Sequence, residues 1–372
     1  MKTAVTCLVF FVAALLALGM VMLYSCKMNE NGGGLLLRQL IWGGVGVVAC
    51  VSVASTDYRG FKKIAGGLYA VAILLLLAVL IPHVGHASHG ARRWVGFHGF
   101  LFQSSEFAKL ALIVAMAWYG DRFKRHMPTW KRGIAVPALF GGLLLGLIYV
   151  EPDRGTTILL AVVSGVMLIV AGVPWTKFAL PGFLAVGGLA VSIFHDPMRM
   201  KRIFSWLYLE EHKDGVGYQA YQAMLALGSG GWFGLGLGNS RQKMGFVPEH
   251  QTDFILSIIG EELGFVATVL VIVSFIAIVC CGIHISMKAP DTFGQLLGSG
   301  ITFLIGMQAF INIGVVTSAL PNKGLPLPFI SYGGSNLLVM LTCVGVLISI
   351  ASGSRFTQSY PAETSMGRLQ TV

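Results

Sequence analysis

Charge is what this chain has least of. Of its 372 residues only 11% are charged, whereas a soluble domain carries about a quarter, so a water-facing globular surface is excluded. Cysteine is scarce too. Five of the six cysteines (Cys7, Cys50, Cys280, Cys281, Cys343) lie inside apolar runs and only Cys26 sits at an edge, which excludes a disulfide framework or a cysteine metal cluster and leaves small apolar fillers. No soluble strand precedes GLGLG at 234–238. Without a βαβ unit that string is no dinucleotide fingerprint, and packing explains it. Repeated halves, the mark of many transporters, are not evident either.

What is present in excess is hydrophobicity. Apolar residues make up 55% of the chain, the mean hydropathy is +0.76, and the apolar runs recur along the whole length, so a targeting peptide cannot account for them. The runs predict an all-α polytopic membrane protein, a single integral membrane domain over 1–372. Ten spans are expected, near 5–25, 37–55, 65–82, 105–119, 134–150, 156–173, 177–194, 254–285, 292–319 and 329–351, several of them short or tilted. The short loops after even-numbered spans hold ten Lys/Arg, against six in the remaining short loops. That bias places both termini in the cytoplasm, makes 195–253 a long extracytoplasmic segment, and leaves 353–372 as a short cytoplasmic tail.

Within the long segment, HDPMRMKRIFSWLYLEEH (195–212) sets Lys201 and Arg202 beside Phe204, Trp206 and Leu207. Two readings stand, an interfacial stretch touching anionic head groups or a plain membrane-edge marker. The glycines at 228, 230, 231, 234, 236 and 238 are too many for a lipid-facing helix and suit close backbone packing or a re-entrant turn.

PEHQTDFILSIIGEE (248–262) places Asp253 just before the eighth apolar run. It is either a helix cap or a partly desolvated carboxylate with the basicity of a proton acceptor. Glu261 and Glu262 follow eight and nine residues on, about 12 Å deeper in a continuous helix. Carboxylates inside an apolar run must face protein, water or a cation; a structural ion pair and a catalytic role fit equally. In ARRWVGFHGFLFQSSEFAKLALI (91–113), Arg92 and Arg93 precede Trp94, while Glu106 and Lys109 stand three apart on one helix face. That pair is structural glue or a holder for a phosphate-bearing substrate, and the lysine is expected to reach the head-group level by snorkelling. EPDRGTT (151–157) and PNKGLPLPFISYGGSN (321–336) complete the outer level, the second a proline-rich loop with Ser331. Two classes remain open on these residues, an enzyme acting on a lipid-linked substrate at the outer leaflet and a flippase or transporter; a non-catalytic scaffold leaves the buried charges unexplained.

The blocks ARRW…QSSEFAKLALI, PDRGTT, GYQAYQAMLALGSGGWFGLGLGNSRQKMGFVPEHQTDFILSIIGEELG and LPNKGLPLPFISYGGSNLL, spread in this order over residues 91–338, resemble the signature blocks of the shape, elongation, division and sporulation (SEDS) family. The resemblance implies a ten-span peptidoglycan glycosyltransferase polymerising lipid II in the bacterial inner membrane, at the septum if the likeness to the division member holds; the sporulation member is close. It implies Asp253 as the catalytic residue, with Glu106, Lys109, Arg93, Arg241, Lys243, Glu261, Glu262 and Ser331 as substrate or structural support. Asp253 would take the proton of the acceptor's 4-hydroxyl as it attacks the donor's anomeric carbon. Lys109, Arg241 and Lys243, or a divalent cation (Mg or Mn), would offset the charge on the departing undecaprenyl pyrophosphate. No cofactor is certain. The implied partners are lipid II and the nascent glycan strand, a class B penicillin-binding transpeptidase and the division activator complex, and no nucleic acid. The chain departs from the family pattern at three places: Ser104 stands where proline is usual, Glu151 where glutamine is frequent, and the histidine usually adjoining Thr-Asp is displaced to His250.

The charge bias gives a test. In a cysteine-free background, a cysteine at Glu211 should react with a membrane-impermeant thiol reagent in intact cells and one at Lys124 should not. Labelling at 124 would reverse the orientation.

Overall fold

A computed structural model describes residues 1–26, 33–81, 85–88, 91–97, 100–243, 245 and 251–358. Helices α1 (Lys2–Cys26), α2 (Gly33–Ser55) and α3 (Gly60–Leu80) lead to a small antiparallel sheet, β1 (Gly85–Ser88), β2 (Ala91–Phe97) and β3 (Phe100–Gln103), in the order β1-β2-β3. Then come α4 (Ser104–Arg122), α5 (Val136–Val150), α6 (Arg154–Val170), α7 (Ala179–Phe194), α8 (Pro197–Leu207), α9 (Tyr218–Ser229), α10 (Ile255–Met287), α11 (Thr292–Val316) and α12 (Gly334–Gln358).

Ten of these helices fall on the ten expected apolar runs. Among the described residues, eight are long and apolar enough to cross a membrane by themselves. The other two are α6, with 17 residues, and α4, which carries Glu106, Lys109, Asp121 and Arg122. The position of α4 explains its charge. Nearly every residue from Ser104 to Gly120 is buried, because α3, α11 and α6 pack around it. A helix screened from lipid by its neighbours can keep charges that a lipid-facing helix cannot.

The sheet is unforeseen in the sequence reading, which assigns no strand to this stretch. Its consequence is positional: β2 carries Arg93, and β3 feeds directly into α4, with the Gln103 N–H bonded to Ser335 Oγ at 3.1 Å. At the other end of α3, Arg59 pairs with Asp291 at 3.0 Å and Lys62 with Asp121 at 2.5 Å. Tyr58 Oη also donates to Asp291 at 2.7 Å. Burial works to raise the Asp291 carboxyl, yet the bonds from Tyr58, Gly294 and Arg59 hold it below its ordinary value.

The eighth run is one apolar segment but not one helix. Gly264 has φ 80 and ψ −175 and breaks α10 into 255–263 and 265–287. Such a break leaves carbonyls of the first half and amides of the second without helical partners, which in hydrocarbon costs several kcal/mol per group. The glycine-rich stretch supplies them. Leu235 and Gly236 N–H donate to Glu261 and Glu262 O at 2.9 and 3.0 Å, and Phe265 and Val266 N–H donate to Gly231 and Trp232 O at 2.8 and 3.2 Å. Only glycine allows that approach. A Cβ on Gly234 (φ +79) would lie 2.1 Å from Glu262 O, and one on Gly230 would lie 1.9 Å from Gly260 O.

The break also overturns the expected depth of the acidic pair. Glu262 meets Ser25, in the last turn of α1. Thr252 instead meets Ser331, whose neighbours Phe329 and Ile330 lie against Gly19, about 9 Å back along α1. The two glutamates are therefore not inward of the aspartate turn.

Gly234→Ala should lower stability by about 3 kcal/mol or more, since it combines left-handed strain with a backbone clash. Gly228→Ala, where a Cβ meets nothing within 4 Å, should be neutral or stabilising by up to about 1 kcal/mol. Thermal aggregation in detergent checks both, and equal melting of the two variants would remove the splint.

Candidate active site

The turn 251–254 is held by three residues on two elements, α11 and the proline-rich loop. Asn312 Nδ2, on α11, donates both to Asp253 O and to Leu325 O at 2.7 Å. The Ser331 hydroxyl donates to Thr252 O and accepts from Leu327 N–H, the latter at 2.8 Å. Tyr332 N–H donates to Gln251 O at 2.9 Å. The proline-rich loop thus wraps the aspartate turn. Gly324 lies so close that a Cβ there would sit 2.5 Å from Asp253 Oδ2.

Asp253 opens into a cavity of about 440 Å³ whose lining includes Gly324, Asn322, Arg93, Arg202 and Trp206. Arg93 reaches it from β2, with its guanidinium donating to Glu151 O at 3.2 Å and Pro152 O at 2.6 Å. Arg202 reaches it from α8 and is exposed. Trp206 Nε1 ties α8 to the loop by donating to Ser318 O at 2.8 Å, and Asn322 Nδ2 ties the loop to α9 by donating to Gln219 Oε1 at 3.1 Å. Lys323 stands in the same loop, its ammonium held below its ordinary pKa by burial.

The other expected residues form two separate buried clusters. Glu106 and Lys109 pair at 2.8 Å with side chains 3% and 0% exposed. Lys109 also donates to Gln308 Oε1 and Asn336 Nδ2 donates to Glu106 Oε2, both at 2.9 Å. Gln308 Nε2 in turn donates to Pro326 O at 2.9 Å, which carries the cluster up to the loop beside Asp253. The expected snorkelling of Lys109 does not occur, because its ammonium is consumed by two partners inside the bundle. The second cluster takes the remaining acids. Glu262 accepts from Lys243 Nζ at 3.0 Å and from Ser25 Oγ at 2.5 Å, and Lys243 donates further to Ser25 O at 3.0 Å. Glu261 accepts from Ser240 Oγ and from the Arg241 N–H, the latter at 3.0 Å. Lys243 is therefore bound to Glu262 rather than presented to the cavity, and Arg241 contributes its backbone here while its side chain is exposed.

Asn312, Gln308 and Asn336 escape the sequence reading, which names no amide side chain among its site residues. The available signal was Gln308 and Asn312, four apart in the run FLIGMQAFINIG. Arg202 was noted as a membrane-edge cation but not as a cavity residue. His250 lies outside the described residues. Among the described residues, no three His, Cys, Asp or Glu side chains are grouped to hold a metal.

With this geometry in view, comparison with known proteins is consistent throughout. The family described as "Cell cycle protein" (FtsW, RodA, SpoVE) matches residues 6–356. The chain is 40% identical to a "Probable peptidoglycan glycosyltransferase FtsW" of Trichlorobacter lovleyi, over 93% of this chain and 92% of that one. It is 38% identical to "Stage V sporulation protein E" of Bacillus subtilis, over 94% and 97%. Among solved structures, a chain from "Structural coordination of polymerization and crosslinking by a peptidoglycan synthase complex" superposes with TM-score 0.79, at 28% identity, over 93% of this chain and 97% of that one. The Thermus thermophilus rod shape determining protein RodA superposes with TM-score 0.69, at 29% identity, over 93% and 95%. The chain belongs to this FtsW/RodA/SpoVE family, the SEDS family of multi-pass inner-membrane proteins. Within it, the chain is an FtsW-like glycosyltransferase.

Lys109→Met should destabilise the protein by about 3–5 kcal/mol, because it strands a buried glutamate, and turnover should fall in parallel. Adding Glu106→Gln should restore much of the stability. The check is a thermal-aggregation curve beside a turnover assay on one preparation; lost turnover with unchanged melting would assign the lysine to substrate instead.

Proposed function

We propose that this chain polymerises lipid II into glycan strands at the outer face of the inner membrane, with inversion at the anomeric carbon and release of undecaprenyl pyrophosphate. The observation that carries the reading is one carboxylate, Asp253, sharing a cavity with two guanidinium groups, Arg93 and Arg202. A sugar hydroxyl is a weak nucleophile and needs a base within hydrogen-bond reach. Asp253 fills that role from the cavity lining, on a turn fixed through its backbone oxygens. A pyrophosphate leaves once its negative charge is met. Arg93 and Arg202 meet it here, in place of Lys109, Arg241 and Lys243 expected from the sequence, and planar guanidinium forks match phosphate oxygens better than an ammonium does.

The orientation follows from the Lys/Arg bias: ten spans, both termini cytoplasmic, 195–253 outside, and the cavity at the level of a membrane-held head group. The helix α12 continues to Gln358, and 359–372 of the expected tail lie outside the described residues. Likeness to a synthase complex that polymerises and crosslinks supports a class B penicillin-binding protein as partner, and likeness to FtsW proteins supports work at the septum with the division activator complex. The similar identity to a sporulation protein keeps that role as the second reading.

Asp253→Asn keeps the size of the side chain and the backbone bonds but removes the base. Polymerisation should fall by about 100-fold or more while melting stays at the wild-type value. Turnover within a fewfold of wild type would displace Asp253 from the chemistry.

A further inference from the structure

Two of the three positions at which this chain departs from the family pattern touch each other. Ser104, the first residue of α4, donates its hydroxyl to the Glu151 carboxylate at 3.3 and 3.2 Å. Both are buried, at 0% and 1% exposure. Glu151 ends α5, its N–H bonded to Leu147 O at 3.2 Å, and the turn it begins presents the two carbonyls, Glu151 O and Pro152 O, that hold the Arg93 guanidinium. The far side of the turn is also fixed: Asp153 caps α6 through Thr156 N–H at 3.2 Å and accepts from Ser105 Oγ at 3.0 Å. Beyond it, Gly155 packs against Leu325, next to the Gly324 that adjoins Asp253.

We propose that Ser104 and Glu151 are a positioning pair, setting the turn that aims Arg93 into the Asp253 cavity and releasing it when Glu151 ionises. The reading rests on the proposed polymerase site, since Arg93 matters only if the cavity binds a pyrophosphate. A proline at 104 has no hydroxyl, and a glutamine at 151 has no proton to lose, so the two departures together create a group that the usual residues lack.

The electrostatics give the pair a pH dependence. Glu151 is pushed up to about 8, first by burial; the Ser104 bond opposes this, Asp153 adds to it, and Arg93 opposes it. Among the described residues these are the charged groups acting on Glu151 from β2, α4 and α6, since Glu106 on α4 is turned to Lys109 and Asn336. At neutral pH the carboxyl is therefore uncharged and competes weakly for the guanidinium. Above pH 8 it becomes an anion beside Asp153 and the Arg93 guanidinium, repels the one and draws the other away from the cavity.

The test is calorimetric binding of undecaprenyl pyrophosphate to the full-length protein in detergent, followed from neutral to alkaline pH. Wild-type affinity should be level near neutrality and fall above about pH 8, approaching tenfold per pH unit. Glu151→Gln should abolish that fall. Ser104→Ala should shift it to higher pH, because it removes a bond that favours the ionised form. The infrared band of a protonated carboxyl in wild type should fade over the same range, a readout that needs no variant to fold. A flat wild-type binding curve, an alkaline fall that survives Glu151→Gln, or an infrared band that does not titrate there would overturn the pair. Lipid II turnover at neutral pH in the same preparation separates the two readings: turnover with flat binding defeats the pair alone, and pH-dependent binding without turnover defeats the polymerase reading alone.

Discussion

Hydrocarbon holds no water, so a helix broken at Gly264 inside the bundle has to find protein partners for every backbone group that the break exposes. Residues 231–236 supply four of them through paired backbone bonds, and the surroundings of the acidic pair are arranged around that splint. It fixes Glu261 and Glu262 at the end of the first half-helix, where Ser240, Lys243 and Ser25 close over them. That half-helix begins at Ile255, directly after the aspartate turn, so the splint determines where Asp253 can stand. A continuous helix would need no glycine-rich partner and would carry the carboxylates toward the middle of the membrane.

The second level of control is a set of neutral amides. Asn312 and Gln308 lie one turn apart on α11 and bond Asp253 O, Leu325 O and Pro326 O, tying the loop and the turn to a buried helix. Each such bond contributes about 1 kcal/mol net, but leaving one of these buried groups without a partner costs about 1–3 kcal/mol. The Glu106–Lys109 pair anchors Gln308 through the Lys109 ammonium. Its own net contribution to stability is small, because desolvation offsets much of the attraction. Its effect is to hold Gln308 in one orientation. Rigid placement of this kind is what a base needs, since the gain from a preorganised carboxylate comes from not having to reorient at the moment of reaction.

The apolar helices, the place of Asp253 just before α10 and the buried Glu106–Lys109 pair were legible because each is a local signal. An apolar run of span length, or a charge within one, carries its meaning in a single window of sequence. What was not legible is non-local. The three strands before α4 are only four to seven residues long, too short for alternation to register, and exist by pairing with one another. The commitment of Lys243 to Glu262 joins residues 19 apart in sequence, and Arg202 enters the cavity only because α8 is pinned by Trp206 and Ser318. The acidic pair was misplaced in depth for one reason: the sequence reading assumed a straight helix through a glycine whose backbone conformation an α-helix cannot contain.

The account comes down to whether this cavity joins sugars. The most direct measurement is incubation of purified lipid II with the purified protein, alone and with a class B penicillin-binding protein, followed by glycan chain length and released undecaprenyl pyrophosphate. The account predicts glycan strands longer than the disaccharide unit, with one pyrophosphate released per bond formed. Lipid II that crosses a vesicle bilayer unpolymerised in the presence of both proteins would contradict it and return the chain to the transporter class.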